Sequence, residues 1–502
     1  MPTPPTPDPD RPAPIRPLAA PLDTVVFDAG TVLGPGDNGV AAALPGARRL
    51  VAGLLAHGVR VRVLPDGTAT GDAAHLPERL TEAGFGPGLA AENLASAGDL
   101  TRGRAVLVTR TPGDTRGTTA DAGGRHPVVA TGDRPVHRAV LDWLAGRSGA
   151  APAAARLVAP LDARAMAETR NHHLRLTKPP GSLGQIEEVG ADLAGIAAEA
   201  PPPLPLPATV AVFAADHGVH AQAVSPRPQE VTAQMVVNFL SGGAAINVLA
   251  RQVDAKVVVV DVGVVSDLPR APGLLDRKVR RGTGDLTTGA AMSSEEARRA
   301  LDVGAEVALR LVDGGARCLV TGDMGIANTT AAAALVASLT DLPAAAVTGR
   351  GTGIDDDLLT RKTALVAAAA ARARYHHPGD PLAVLAEVGG LEHAALAGFI
   401  LGGAALQVPV VIDGVNAAAA LLVASRLVPG VERCVIAGHR SAEPAAPAVL
   451  DALGLTPLLD LALRLGEGTG AALALPLIEA AARVAREMAT FDQAGVADKH
   501  GR

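Results

Sequence analysis

Carboxylates and glycines recur together in this sequence, and their spacing narrows the available chemistry. Glu467 stands between glycines in LGEGTG (465–470). Glycine lets a flat ligand approach the backbone closely, so the carboxylate reads either as a general base or as an acid at the N-terminus of a following helix. Asp323 opens GDMGIANTT (322–330), and GRGTG spans 349–353. Such Gly-rich turns leading into helices offer backbone N–H groups to a phosphate. The IDDD run at 354–357 could hold magnesium or could be the acidic first turn of a helix. No GxxxxGK[ST] phosphate loop, no GxSxG nucleophile turn and no Cys-His arrangement occurs. Cys318 and Cys434 are the only two cysteines and have no CxxC partner, so neither a disulfide framework nor a zinc site is indicated, and a reducing cytoplasm fits.

These residues need a scaffold, and the apolar pattern supplies one. Strands are expected at 209–214, 256–262, 317–321, 409–412 and 434–437, separated by long Ala-rich helical stretches. Each strand ends in Gly, Asp or His, and in an open parallel sheet ligands gather at the carboxyl ends. Residues 394–412 form an uncharged run interrupted by Gly402, Gly403, Gln407 and Pro409. That run reads as a buried helix turning into a buried strand rather than as a membrane span. Upstream, TVVFDAGTVL (24–33), read as a buried strand running into a Gly turn, strands at 59–64, 105–109 and 127–130, and a helix at 47–57 form a small α/β domain over 21–148. A Pro-rich tail (1–20) expected to be disordered precedes it, and an Ala/Pro-rich linker (149–160) follows.

Composition sets the outer bounds. The 502 residues are 48% hydrophobic and 19% charged, enough for sizeable cores in more than one domain. Aromatics make up 2%, so the cores must be packed with Ala, Val and Leu. A net charge of −6 leaves no basic field for nucleic acid or anionic lipid. The N-terminus lacks the apolar core of a signal peptide.

Seven ordered blocks carry a family resemblance: KPPGSLG (178–184), AADHGV (214–219), PQEVTAQMVVNFLSGGAAINVLARQ (228–252), GDMGIANTTAAAAL (322–335), GRGTGIDDD (349–357), GHRSAEP (438–444) and RLGEGTGAALALPL (464–477). Together they resemble nicotinate-nucleotide:dimethylbenzimidazole phosphoribosyltransferases. The resemblance runs from about 165 to 495. It implies a doubly wound, mostly parallel α/β sheet and a smaller domain of helices drawn from both ends of residues 161–500, in a homodimer. It also implies the reaction, in which nicotinate mononucleotide and 5,6-dimethylbenzimidazole give α-ribazole 5′-phosphate and nicotinate in cobalamin assembly. No metal or redox cofactor is implied.

The same resemblance assigns residues. Glu467 matches the catalytic glutamate, and Asp323 stands where the pattern usually has glutamate. Ala327 stands where it prefers glycine. Gly325, Asn328, Thr329, Arg350 and Gly351 lie in the two Gly-rich turns already read as phosphate candidates, while the resemblance places Lys362 with the phosphate or carboxylate of the nucleotide, Asp413 and Gly414 in ribose and phosphate positions, and Ser441 in another substrate position. Lys362 otherwise reads as a solvated helix position. Ser225 and Gln234 fall in the benzimidazole region, where a usual aromatic is replaced near Arg227. His217 fits a cap or turn as well as a substrate contact. A β-configured donor giving an α-configured product needs only one displacement with inversion, so no covalent enzyme intermediate is required.

Residues 24–67 resemble the start of a haloacid-dehalogenase-type phosphatase with Asp28 as nucleophile. However, Gly30 replaces the usual second acid, no lysine precedes Lys178, and only Asp133 echoes the metal-binding acid segment. A degenerate domain and an active phosphatase both remain open. Two alternatives to the transferase follow: a benzimidazole or α-ribazole binder without catalysis, and a phosphatase acting through this N-terminal unit.

Overall fold

The computed structural model describes residues 24–35, 41–44, 47–57, 59–64, 75–83, 85, 105–109, 128–130 and 136–497. The tail expected over 1–20, the side chain of Asp28 and Asp133 lie outside the described residues.

The N-terminal unit contains β1 (Thr24–Asp28), a small antiparallel pair of β2 (Leu33–Pro35) and β3 (Ala41–Ala43), then β4 (Arg60–Leu64), β5 (Ala105–Thr109) and β6 (Val128–Ala130). Its main sheet runs β4-β1-β5-β6, all parallel. The segment that reads as a linker in sequence is instead a helix, Ala150–Leu157, most of it buried. Pro152 sits in its first turn, where a missing N–H costs nothing, and the Ala151 amide donates to Asp302 Oδ1 at 2.8 Å. This helix packs against Ser294–Asp313 and Leu391–Ala405. Arg49 also crosses between the two units. It is 1% exposed, donating to the Ala159 carbonyl (2.9 Å) and contacting Cys434 Sγ (3.2 Å). These contacts of a buried guanidinium tie the N-terminal unit to the larger one.

The larger unit is built on β7 (Ala208–Ala215), β8 (Lys256–Gly263), β9 (Leu274–Asp276), β10 (Cys318–Met324), β11 (Val410–Ile412) and β12 (Val435–Ala437). Their order is β12-β11-β10-β7-β8-β9, with every pair parallel. The chain builds outward from β7 in one direction, then returns to lay β10 on β7's other edge. That reversal opens a crevice at the carboxyl ends of β7 and β10, where open α/β sheets bind ligands. Both faces are covered. Val210, Val212 and Ala214 of β7 pack in the core that includes Ile246, Ala471 and Ile478. Ala211, Phe213 and Ala215 face the opposite core, with Leu301 and Phe399.

Small residues make the helical layer possible. A Cβ at Gly304 would lie 1.7 Å from the Ala395 carbonyl oxygen, and one at Gly398 1.9 Å from that of Leu301. Helices Ser294–Asp313 and Leu391–Ala405 therefore cross backbone to backbone, so this core fills densely with few aromatics. The apolar run at 394–412 is this buried helix followed by β11. Helices Ala163–His173, Gln185–Ala197 and Thr469–Glu487 pack together, joining both ends of the 161–500 region.

Candidate active site

The carboxyl ends of β10 and β11, the start of helix Asn328–Leu339, Lys362 and the segments 224–235, 349–352 and 462–467 enclose a cavity of about 680 Å³. Asp323 and Glu467 both line it. Glu467 is delivered by an unusual piece of backbone: Gly466, Glu467 and Gly468 have φ of 82°, 63° and 94°. Left-handed backbone at a non-glycine residue costs about 1–2 kcal/mol and persists where packing enforces it. Here a Cβ at Gly468 would meet Val210 Cγ1 at 2.8 Å, and one at Gly322 would meet the Glu467 carbonyl oxygen at 2.6 Å. The two glycines on the loop and the one on β10 let this segment lie flat on the strand ends.

Asp413 holds the same segment from below. Its Oδ2 accepts from the Gly468 amide and its Oδ1 from the Ala471 amide, each at 3.0 Å. Assigned by resemblance to ribose or phosphate, Asp413 is instead buried as an acceptor for the helix N-terminus and does not line the cavity. Glu467 is 5% exposed and its Oε2 has no protein partner. Burial pushes its carboxyl up to about 7, opposed by the Ile246 amide and reinforced by the Asp413 charge.

Asp323 lies at the end of β10, paired with Phe213 of β7. Its Oδ2 accepts from Asn416 Nδ2 (2.6 Å) and Asn328 Nδ2 (2.9 Å), while Oδ1 is unpartnered. Burial pushes this carboxyl too up to about 7, the nearby Asp413 adding to the shift and His393 opposing it. Two carboxyls poised near neutrality, each with a free oxygen in one crevice, make a site for proton removal beside a developing positive centre.

Two cationic side chains, Lys362 and Arg350, line the same cavity. Lys362 Nζ donates to Thr329 Oγ1 (2.9 Å) and the Gly349 carbonyl (3.0 Å). Burial pushes it down to about 8, opposed by Glu443. The lysine is buried and faces the cavity, not a solvated helix position. Glu443 Oε1 accepts from the Gly351 amide at 2.9 Å, and Gly351 has φ 54° with a Cβ position 2.9 Å from Thr329 Oγ1. Arg350 is ion-paired with Asp356 and donates to the Ile354 carbonyl (2.9 Å). Asp355 caps helix Asp356–His376 by accepting from the Leu358 amide (2.9 Å), so the IDDD run serves as that helix's acidic start. Ala327 precedes helix Asn328–Leu339 with φ 75°, which accounts for a pattern that prefers glycine there.

Eleven of the thirteen residues assigned from sequence line the cavity: Glu467, Asp323, Ser225, Gly325, Asn328, Thr329, Arg350, Gly351, Lys362, Gly414 and Ser441. Gln234 does not. It is on the exposed side of helix Val231–Leu240, whose Val231 and Met235 face the cavity instead. His217 does not line it either and is fully buried against Glu392. Asn416 and Glu443, which sequence reasoning passed over, hold Asp323 and Gly351. Each lies within three residues of a flagged position, Asp413 or Ser441, and only the fold assigns its partners. Among the described residues no group of three His, Cys, Asp or Glu side chains could hold a metal.

With this geometry in view, comparison with known proteins is direct. Residues 158–496 match a phosphoribosyltransferase family model. A Salinispora tropica protein named nicotinate-nucleotide–dimethylbenzimidazole phosphoribosyltransferase is 56% identical over 356 residues, 68% of this chain and 98% of that protein. One of the same name from Thermus thermophilus is 54% identical over 337 residues, covering 67% and 99% of the two chains. A crystal structure of CobT from Thermus thermophilus superposes with a TM-score of 0.64 at 54% identity, over 66% of this chain and 99% of that one.

Proposed function

The chain belongs to the nicotinate-nucleotide–dimethylbenzimidazole phosphoribosyltransferase family of cobalamin biosynthesis, and we propose that Glu467 is the base and Asp323 the electrostatic partner of its phosphoribosyl transfer. One observation carries this reading: Glu467 Oε2 and Asp323 Oδ1, both buried and unpartnered, belong to two residues that line the same cavity.

The benzimidazole attacks C1′ of nicotinate mononucleotide through one ring nitrogen. The other nitrogen carries a proton that becomes acidic as the bond forms, and Glu467 takes it. Nicotinate leaves as the C1′–N bond breaks, its ring nitrogen losing the positive charge it bore in the substrate, so no general acid is required. Asp323 offsets the positive charge that develops at C1′. The amides at the start of helix Asn328–Leu339, with Thr329 and Lys362, receive the phosphate. The apolar side chains of Val224, Val231, Met235 and Leu465 form the wall suited to the aromatic base.

A homodimer is the assembly that the family resemblance supports. A cytoplasmic setting is supported by two buried, unpaired cysteines, Cys318 and Cys434. The N-terminal unit is proposed as a separate, phosphatase-like domain docked through Arg49 and helix Ala150–Leu157. Incubation with nicotinate mononucleotide and 5,6-dimethylbenzimidazole, without added metal, should release nicotinate and form α-ribazole phosphate in equal amounts. Binding of both without nicotinate release would replace this reading with that of a binder, and orthophosphate release as the main product would replace it with a phosphatase.

A further inference from the structure

Behind the cavity wall an unbroken line of polar groups runs through the core. His217 Nε2 lies 2.8 Å from Glu392 Oε1, and His393 Nδ1 lies 2.9 Å from the same oxygen. His393 Nε2 is 3.1 Å from Asn416 Oδ1, and Asn416 Nδ2 donates to Asp323 Oδ2 at 2.6 Å. The side chains of His217, Glu392 and His393 are wholly buried. Burying three such groups without use would be costly, and the fold makes room for them. A Cβ at Gly390 would lie 2.5 Å from His217 Cε1 and from Glu392 Oε2, and one at Gly325 would lie 3.3 Å from His217 Nε2.

The geometry fixes the protons. Asn416 turns its amide nitrogen to the Asp323 carboxylate, so its oxygen faces His393, and an amide oxygen only accepts. His393 Nε2 must therefore carry a proton. Its Nδ1 lies 2.9 Å from Glu392 Oε1, and against the desolvation that lowers the pKa of the ring, that carboxylate raises it. Glu392 thus favours the charged form of His393, and one amide, that of Asn416, separates the ring from Asp323.

We propose that His393, held protonated by Glu392 and His217 and relayed through Asn416, is a positioning residue that keeps Asp323 ionised with Oδ1 free toward the substrate ribose. This rests on the proposed role of Asp323. The other charged groups around Asp323 are acidic: Asp413 after β11, Glu467 on the loop before helix Thr469–Glu487, Glu392 on helix Leu391–Ala405, and, farther along the chain of contacts, Asp216 after β7. Lys362 lines the same cavity and is bonded to Thr329, the residue after the Asn328 that donates to Asp323. His393 is thus the cation linked to Asp323 by an uninterrupted hydrogen-bonded path. Without it, four carboxylates and burial would favour a protonated Asp323 and a site that is dead at neutral pH.

The test is the pH dependence of kcat for the full chain and three variants. His393→Gln keeps a donor to Asn416 but removes the charge, and Asn416→Ser cuts the link while leaving both histidines. Each should move the acid limb of the kcat profile upward by about one pH unit, a roughly tenfold loss at pH 6, with KM for both substrates changed less than threefold. Folded variants with an unmoved limb overturn the relay. If only one variant folds, that one decides; if neither folds, the chain of contacts is core structure alone and the proposal falls. Asp323→Asn separates the two layers of the argument. A limb altered by Asp323→Asn but not by the other two sinks the relay only, whereas full activity of Asp323→Asn with an unaltered limb sinks the role of Asp323 itself.

Discussion

Glu467→Gln is expected to lower kcat by 10² to 10⁴ while both substrates still bind. This is the range that a positioned general base supplies. Glutamine matches glutamate in size, tolerates the left-handed backbone at 467 no worse, and can still meet the Ile246 amide; it lacks only the ability to accept the azole proton. The packing that enforces φ 63° at this position comes from Gly466, Gly468, Gly322 and Asp413, none of which the substitution touches. Turnover by steady-state nicotinate release, with azole affinity by calorimetry, checks this outcome. Loss of binding in proportion to loss of turnover would mean that the side chain shapes the pocket instead of taking the proton.

The second large effect concerns pH. Glu467 and Asp323 are both pushed up to about 7, mainly by burial, and both must be ionised for the proposed chemistry. A carboxyl with a raised pKa gains its proton as pH falls through that value, so activity should fall below about pH 7. Because two groups protonate, log kcat should fall with a slope approaching two per pH unit below about pH 6. Asp323→Asn should reduce that slope to one and lower the plateau by about 10²-fold, the cost of losing one preorganised electrostatic partner. An activity flat from pH 5 to 8 would show that neither carboxylate has to be ionised.

Much of this framework is legible in the linear sequence for identifiable reasons. Strands buried on both faces of a parallel sheet are continuous apolar runs, so β7, β8, β10, β11 and β12 stand out, and Asp323 and Gly414 follow as strand-end residues. β9 is missed because Leu274–Asp276 has three residues and no distinguishing run. Helix Ala150–Leu157 is missed because alanine and proline read as linker, while its real support, Asp302 and the helices it packs on, is remote in sequence. Asp413 shows the limit of motif transfer. Its residue type at a strand end fits a substrate contact, yet both oxygens are used by amides of a segment more than fifty residues away. Gln234 and Met235 differ by one helical position, and only packing decides which faces the cavity. The line from His217 through Glu392, His393 and Asn416 draws on three distant stretches of chain that no periodicity connects.

The central claim is that Glu467 removes a proton from the azole, and an azole with no proton to lose tests it most directly. A 1-methylbenzimidazole can still attack C1′ through its free nitrogen, giving a cationic product without deprotonation. Comparing kcat of the parent enzyme and Glu467→Gln on this substrate and on 5,6-dimethylbenzimidazole isolates the proton. The large gap between the two enzymes on the N–H azole should shrink to within about tenfold on the N-methyl azole. A gap of the same size on both substrates would contradict the account, because Glu467 would then be needed where there is no proton to remove.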